Sequence, residues 1–416
     1  MTWHIVNWIV GSILALAWFS RIVEAAFGMP RIADIALPEW DRRPPASDGE
    51  PRVTIIVPAR NEEEHIRETL TRLMALDYSN YEIMAVNDRS TDRTGQIMDE
   101  VATESSCGAD IPVRVSAAPT LHAGADRNVR PTRLKVIHIA ELPTGWLGKT
   151  HAMWTAAQQA TGDWLLFTDA DVLFKPDSLR RAVAYAETEK ADHVVLFPRM
   201  IMKRPGERMM IAFFQALFVF GHRPWKVADP EARDHMGVGA FNMVRRSVYD
   251  AVGTYKALRM EVLDDMKLGK VVKNAGFAQR NVFGEDLISI HWAQGAFGVV
   301  NNLTKNFFAV LSFQWWRTLV SLVGLAFLNL GPFLGVWLAH GWVRPLYGIA
   351  LGSIFLIYCG MSARSAVPPY YFFLHPISTT LFMYTLLRSM FVTIRNDGIV
   401  WRGTKYALED LRNGMV

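Results

Sequence analysis

Apolar residues crowd both ends of the chain, and charged residues fill the middle. From residue 5 to 19 the sequence is apolar except for Asn7 and Ser12, and a helix can run on to about 27 across Arg21 and Glu24. That length approaches the ~20 residues needed to cross the hydrocarbon core. His4 is the only early side chain able to carry charge and no A-x-A follows, so the segment is expected to remain as an anchor rather than be cleaved as a signal peptide. Near the other end, 319–340, 345–363 and 368–394 are three more apolar stretches of spanning length. The pattern divides the chain into an anchor (1–28), a linker with a polar, proline-bearing second half (29–51), a soluble unit (52–290), an interfacial segment (291–318), about three C-terminal spans (319–394) and a basic tail (395–416).

Within the soluble unit the period changes. Residues 53–57 form a β-branched apolar run that stops at Pro58, which reads as a strand, and 61–70 reads as a helix with Asn61 as its cap and Ile66 and Leu70 facing inward. Residues 81–86 repeat the strand pattern, halt at the polar run 87–92, and hand over to a helix at 95–101. Further strands are expected at 113–117 and 134–139, a helix at 149–160, and then the run D-W-L-L-F-T-D-A-D at 163–171. Strands alternating with helices predict a parallel, doubly wound α/β sheet, in which ligands gather beyond the carboxyl ends of the strands. Asp88, Asp169 and Asp171 stand at those ends.

Two carboxylates one residue apart suit a hard cation such as Mg2+ or Mn2+ that keeps coordination positions open for substrate phosphates. A solvated strand end leading into a turn would look the same. Asp88 suits hydrogen bonds from a base or ribose, while Asp92 reads better as a helix cap. No G-x-G-x-x-G follows the first strand, and Gly148-Lys149-Thr150 lacks the upstream glycine of a phosphate-cradling loop, so dinucleotide and P-loop chemistry lose support.

Half of the 416 residues are hydrophobic and the net charge is +4, with no dense Lys/Arg tract. Nucleic acid is therefore not an expected partner. A modest basic excess fits a domain lying against anionic lipid on the cytoplasmic side of the cell membrane. One anchor and three later spans would, however, leave Arg395, Arg402, Lys405 and Arg412 across the membrane from that domain. One stretch is then expected to be re-entrant or interfacial, and 368–394, interrupted by His375-Pro376, is the one so expected. Cys107 and Cys359, in the soluble part and in a span, are not expected to pair.

The phrases P-A-R-N-E-E at 58–63, V-N-D-R-S-T-D at 86–92, L-P-T-G-W-L-G-K-T-H-A at 142–152 and A-T-G-D-W-L-L-F-T-D-A-D at 160–171 together closely resemble the inverting family 2 glycosyltransferases. The resemblance runs from about 53 to 265 and is strongest toward the membrane-anchored branch with ceramide glucosyltransferases and hopanoid- or carotenoid-associated enzymes. It implies a GT-A nucleotide-diphosphosugar sheet. It implies too that Ala59 and Glu62 line the nucleoside pocket, Asp88 contacts the base, Lys149 reaches the nucleotide, and Asp171, assisted by Asp169, binds metal on the diphosphate. The donor implied is a nucleotide-diphosphate sugar, with a UDP-sugar the expected one, and the hydrophobic flanks point to a membrane lipid as acceptor.

Inverting transfer needs a carboxylate to take the acceptor's proton. The family opens a helix here with an acidic pair, and this chain has Asp264-Asp265, so Asp265 inherits the role of base and Asp264 the place beside it. Adjacent acids at a helix start also complement the helix dipole without any catalysis. The glycines of 237–243 resemble an acceptor-side loop, which makes Gly239 and Asn242 binding candidates. At 313–317, Phe-Gln-Trp-Trp-Arg matches Q-x-x-R but has Thr318 where the family signature has Trp. Gln314 and Arg317 are candidates for pyrophosphate and Trp315 or Trp316 for stacking on sugar; an interfacial aromatic belt would read alike. His291 reads as a packed histidine. Two other functions compete with lipid glycosylation: a processive polysaccharide synthase and a non-catalytic sugar-nucleotide-binding membrane protein.

Overall fold

The computed structural model describes residues 2–44, 49–106, 134–284, 286–365 and 367–415. Cys107 and the strand expected at 113–117 lie outside the described residues.

Among the described residues the soluble unit is built on a seven-stranded sheet and a smaller three-stranded one. Strands β1 (Val53–Ala59), β2 (Tyr81–Asp88), β3 (Leu134–Ile139) and β4 (Trp164–Phe167) are parallel; β5 (Val172–Phe174) turns away. β6 (His193–Leu196), β7 (Arg199–Met200), β8 (Asn242–Arg245), β9 (Gln279–Val282) and β10 (Ile288–Ile290) follow. The main sheet runs β3-β2-β1-β4-β8-β6-β9, and a small sheet runs β5-β10-β7. The sheet is mixed rather than wholly parallel, because β8 pairs antiparallel with both β4 and β6. Its reversal has a local cause: the chain reaches β8 through residues 236–241, which already lie at the ligand end of the sheet, so β8 must run back from there.

Both faces of the sheet are covered, and this is why the strands read as continuous apolar runs. Alternate residues point to opposite sides, so Ile55 and Val57 pack into one buried cluster while Ile56 packs into the other. Each fully buried aliphatic side chain contributes about 2 kcal/mol. The first face is covered by α2 (Ile66–Met74), α3 (Thr94–Ser106) and α5 (Ser178–Thr188), which come after the anchor α1 (Thr2–Gly28); the second is covered by α4 (Gly148–Ala157) and by helices after α6 (Pro205–Gly221), namely α7 (Arg246–Ala251), α8 (Thr254–Ala257) and α9 (Asp264–Asn274). Part of the expected linker packs on this unit. Ile35 is fully buried, and Arg181 donates to the carbonyls of Ile35, Ala36 and Leu37.

Helix α10 (Gly295–Val310) leads to α11 (Trp315–Leu325), which passes through a π-helical turn at Ala326–Leu330 into α12 (Gly331–Leu338). Pro332 lacks an N–H for the regular ladder, which accounts for the irregular turn before it. α13 (Arg344–Ser362) and α14 (His375–Arg395) complete the apolar set, and among the described residues four helical segments have the length and composition to cross a membrane. α14 behaves differently from the others. Near its start Ser378 Oγ donates to the Met209 carbonyl of α6, and toward its end Ser389 Oγ donates to the Thr304 carbonyl of α10. The tail then forms a hairpin of β11 (Gly398–Trp401) and β12 (Thr404–Ala407) and a last helix α15 (Leu408–Asn413). Ile399, Tyr406, Leu408 and Leu411 share one apolar cluster with Leu147, Met260 and Val262 of the soluble unit. The tail therefore folds onto the soluble unit.

Candidate active site

At the end of β2, Asp88 is 4% exposed and bound by its neighbour: Arg89 Nε and Nη2 donate to its two carboxylate oxygens at 2.7 and 3.1 Å. Arg60, just past β1, lies 3.9 Å from the same carboxylate. Asp92 caps α3 by accepting the Thr94 N–H and also holds the Glu63 N–H, which ties the β1 loop to the β2 loop. α4 starts against this pair. A Cβ on Gly148 would fall 2.2 Å from Asp88 Oδ2, so glycine is what allows the helix start, and Lys149 with it, to sit so close to the strand ends.

Lys149 is the centre of an ion network. Its Nζ is 2.8 Å from Asp169 Oδ1 and 3.5 Å from Asp264 Oδ1. Burial alone would lower its pKa, but Asp169, Asp264 and Asp265 together hold it well above the usual lysine range. Asp169 is lowered despite burial, with Lys149 as the leading favourable partner. Asp264, 4% exposed, is pushed up to about 7 by burial, which outweighs the attraction of Lys149. Asp265 is raised by burial as well, with Lys149 pulling the other way. Each oxygen of Asp265 accepts one backbone N–H, from Gly239 at 2.9 Å and from Met266 at 2.7 Å, so the carboxylate is fixed at the mouth of α9.

Asp171 is raised to about 6, first by burial and then by the like charges of Asp169 and Glu62. Such crowding is what a divalent cation relieves. Among the described residues no cluster of three or more His, Cys, Asp or Glu encloses a metal position. Two carboxylates beside an open cavity fit an ion completed by substrate phosphates and water better than a cage made by protein alone.

The residues 236–239 press unusually hard on α9. A Cβ at Gly237 would lie 1.8 Å from the Asp265 carbonyl oxygen, and one at Gly269 would lie 1.9 Å from the Met236 carbonyl oxygen. These two glycines let backbone approach backbone and seat the acidic pair. Asn242 is 1% exposed and sits beneath the site, where its side chain meets His193 and the Asp265 carbonyl. His193 is bonded in turn to Gln279, so Asn242 supports the floor and offers no free face to an acceptor.

Ala59, Glu62, Asp88, Lys149, Asp169, Asp171, Gly239, Asp264 and Asp265 all line one cavity of about 1760 Å³. Gln314, Trp315 and Arg317 are absent from its wall. Trp315 and Trp316 are 61% and 50% exposed, and Arg317 lies over Trp316 and donates to Ser312. Their place at the start of α11 turns them outward, as an interfacial belt would be. His291 packs 3.7 Å from the buried Glu207.

Sequence reasoning missed Lys305, Arg402 and Tyr406, which line the same cavity. Arg402 donates to Glu62 and to the Arg60 carbonyl, Arg60 donates to Thr404 at 2.9 Å, and Tyr406 Oη accepts the Gly148 N–H at 3.1 Å. The tail's positive charge was the available signal, but read only as a topology marker it carried no position.

A strand-end cavity with acids from three β-strand loops, a lysine among them and an acidic pair at a facing helix start defines a GT-A glycosyltransferase domain. The chain belongs to glycosyl transferase family 2, whose model matches residues 54–266. A 4,4'-diaponeurosporenoate glycosyltransferase of Staphylococcus aureus (strain USA300) is 22% identical over 379 residues, covering 86% of this chain and 88% of its own. The enzyme of the same name from Staphylococcus haemolyticus is 21% identical over 247 residues, 59% of this chain; the chain spans 58% of that relative's length. Among solved structures, the mannosyltransferase PcManGT from Pyrobaculum calidifontis in complex with GDP-Man and Mn2+ aligns with TM-score 0.52 at 19% identity, covering 93% of this chain and 99% of that one. This last likeness concerns the fold.

Proposed function

We propose that this glycosyltransferase moves a hexose, with inversion, from a nucleotide-diphosphate sugar to the hydroxyl of a membrane lipid. One observation carries the acceptor. The cavity that holds Asp88, Lys149, Asp171 and Asp265 is continuous with an apolar wall that includes Ile22 and Ala25 of α1, Leu325 of α11 and Ile357 of α13, all in helices of spanning length, together with Phe218 of α6. A hydroxyl at the polar end with a long apolar body behind it matches both ends of that space. The names of the Staphylococcus relatives, 4,4'-diaponeurosporenoate glycosyltransferases, agree with an acceptor of that apolar type.

In this reading Ala59, Glu62 and Asp88 receive the nucleoside. Lys149 offsets charge on the diphosphate as it departs. Asp171 and Asp169 would hold Mg2+ or Mn2+, which supplies further charge stabilisation to the leaving diphosphate when bound. Asp265, its two oxygens oriented by backbone N–H groups, takes the acceptor's proton as the new bond forms. Asp264 and Lys149 keep that carboxylate's surroundings balanced in charge.

The same contacts favour a cell-membrane topology with the catalytic domain in the cytoplasm. α1, the α11–α12 segment and α13 cross; α14 lies along the boundary, since hydrogen bonds near both its ends tie it to α6 and α10. Three crossings return the basic tail to the side of the catalytic domain, as the positive-inside tendency requires.

A processive polysaccharide synthase is the competing reading, yet the cavity's far end is apolar where a growing sugar chain would want polar lining. Membranes supplied with labelled sugar nucleotides separate the two. Label in organic-extractable lipid supports lipid glycosylation; label in high-mass polymer would sink it. A non-catalytic binder would give neither.

A further inference from the structure

The donor site has a cation that the family-matched segment does not contain. Lys305 lies on α10, beyond residues 54–266, and its ammonium enters the cavity shared by Lys149, Asp169 and Asp171. Lys149 is already engaged with two acids, at 2.8 and 3.5 Å. Lys305 is held otherwise: its Nζ stands 4.2 Å from the ring centroid of Trp401 on the C-terminal hairpin, and among the described residues no carboxylate lies within 4.0 Å of it. A half-buried ammonium with no anion in contact is costly. Burial, then repulsion by Lys149 and by Arg402, lowers it to about 8. Lys149, Lys305 and Arg402 all line a space large enough for a ligand; Asp169 and Asp264 offset the repulsion on Lys305 only in part, and an anion entering beside its ammonium would relieve the rest.

We propose that Lys305 is a further ligand of the donor's diphosphate, and that the C-terminal hairpin is the clip that holds it there. Trp401 stacks under the ammonium, while Arg402, bonded to Glu62 and to the Arg60 carbonyl, fastens the hairpin to the rim of the nucleoside pocket. Arg60 and Tyr406 add bonds to Thr404 and to the Gly148 N–H. The placement has a chemical logic: the leaving group gains negative charge, and a fixed ammonium near it stabilises that charge with little reorganisation. The inference rests on the donor-site reading above, and it assigns a role to a segment that the sequence motifs leave out.

The test uses the full chain in detergent with saturating Mn2+. Dissociation constants are measured for UDP and GDP, with uridine and guanosine as phosphate-free controls. For whichever diphosphate the native chain binds, Lys305→Met should weaken binding at least tenfold, leave its nucleoside within twofold, and Lys305→Arg should stay within about threefold of native. Arg402→Met should give a smaller loss in the same direction. If the native chain binds neither diphosphate, the donor-site reading falls and this inference with it. If the native chain binds one and Lys305→Met binds it equally well, only the inference falls. Equal losses for diphosphate and nucleoside, or a loss confined to the lipid acceptor's KM, would also overturn it.

Discussion

Replacing Gly237 by alanine tests whether backbone contact with α9 is what seats the acidic pair. The added Cβ would stand 1.8 Å from the Asp265 carbonyl oxygen and 2.3 Å from its carbon. Carbon atoms settle at about 3.5 Å, so one of the two segments must retreat by more than ~1 Å. Gly269 locks the same interface from the helix side, where a Cβ would meet the Met236 carbonyl oxygen at 1.9 Å, so the retreat has to move the first turn of α9. Misplacing a reacting group by about 1 Å costs roughly 10²-fold in rate, equivalent to ~2.7 kcal/mol in activation free energy. Overpacking of this kind also costs about 1–3 kcal/mol of stability. The expected result for Gly237→Ala is a hundredfold fall in kcat with a lowering of Tm by several degrees, read by transfer of labelled sugar and by thermal unfolding of the full chain. Gly348→Ala is the control, because a Cβ there meets nothing within 4 Å. A Gly237→Ala enzyme with native kcat and native Tm would refute the reasoning.

Burial holds Asp265 above the ordinary carboxylate range, with Lys149 the leading group that pulls it down. The acid limb of kcat against pH should therefore fall tenfold per unit at a pKa above the usual carboxylate value, and Lys149→Met should shift that limb upward; a limb that moves down, or stays, contradicts the network. Asp264 reaches about 7 in the folded chain against an ordinary 3.8, so the folded state binds more protons between those values and stability declines as pH rises through that window. Asp264→Asn should remove that part of the decline, so its Tm relative to native should be higher at pH 8 than at pH 5. Gly360 faces the apolar part of the cavity with open space around it, and Gly360→Phe should raise the KM for the lipid several-fold while leaving nucleoside diphosphate binding unchanged, as seen by kinetics and calorimetry.

Much of the site was legible because its residues follow strands whose apolar runs end abruptly in polar turns: Asp88, Asp169 and Asp171 needed only that rule to be placed together. Asp265 came from the resemblance, which sets the acidic pair opening α9 against the family's own; the phrase by itself would equally complement a helix dipole. What the pattern concealed was direction and distance. β8 is apolar only at Met243 and Val244, and nothing in its four residues marks it as antiparallel. Asn242 reads as a polar side chain near a loop, yet its burial against His193 depends on β6 and β9, strands far away in sequence. Gln314 and Arg317 fit a spacing whose missing tryptophan was the warning, and the structure turns that segment outward. Lys305 and Arg402 were out of reach for a different reason. Each is an ordinary basic residue until the hairpin that follows α14 packs against the soluble unit and brings both to one cavity.

The most direct measurement of the central claim is the single-turnover rate at which Asp265→Asn, saturated with donor, places labelled sugar on extractable lipid. Replacement by the isosteric amide keeps an acceptor oxygen and the shape but cannot take a proton. The account predicts a fall of about 10³-fold or more with nucleoside diphosphate binding intact. A rate within tenfold of the native chain would contradict it.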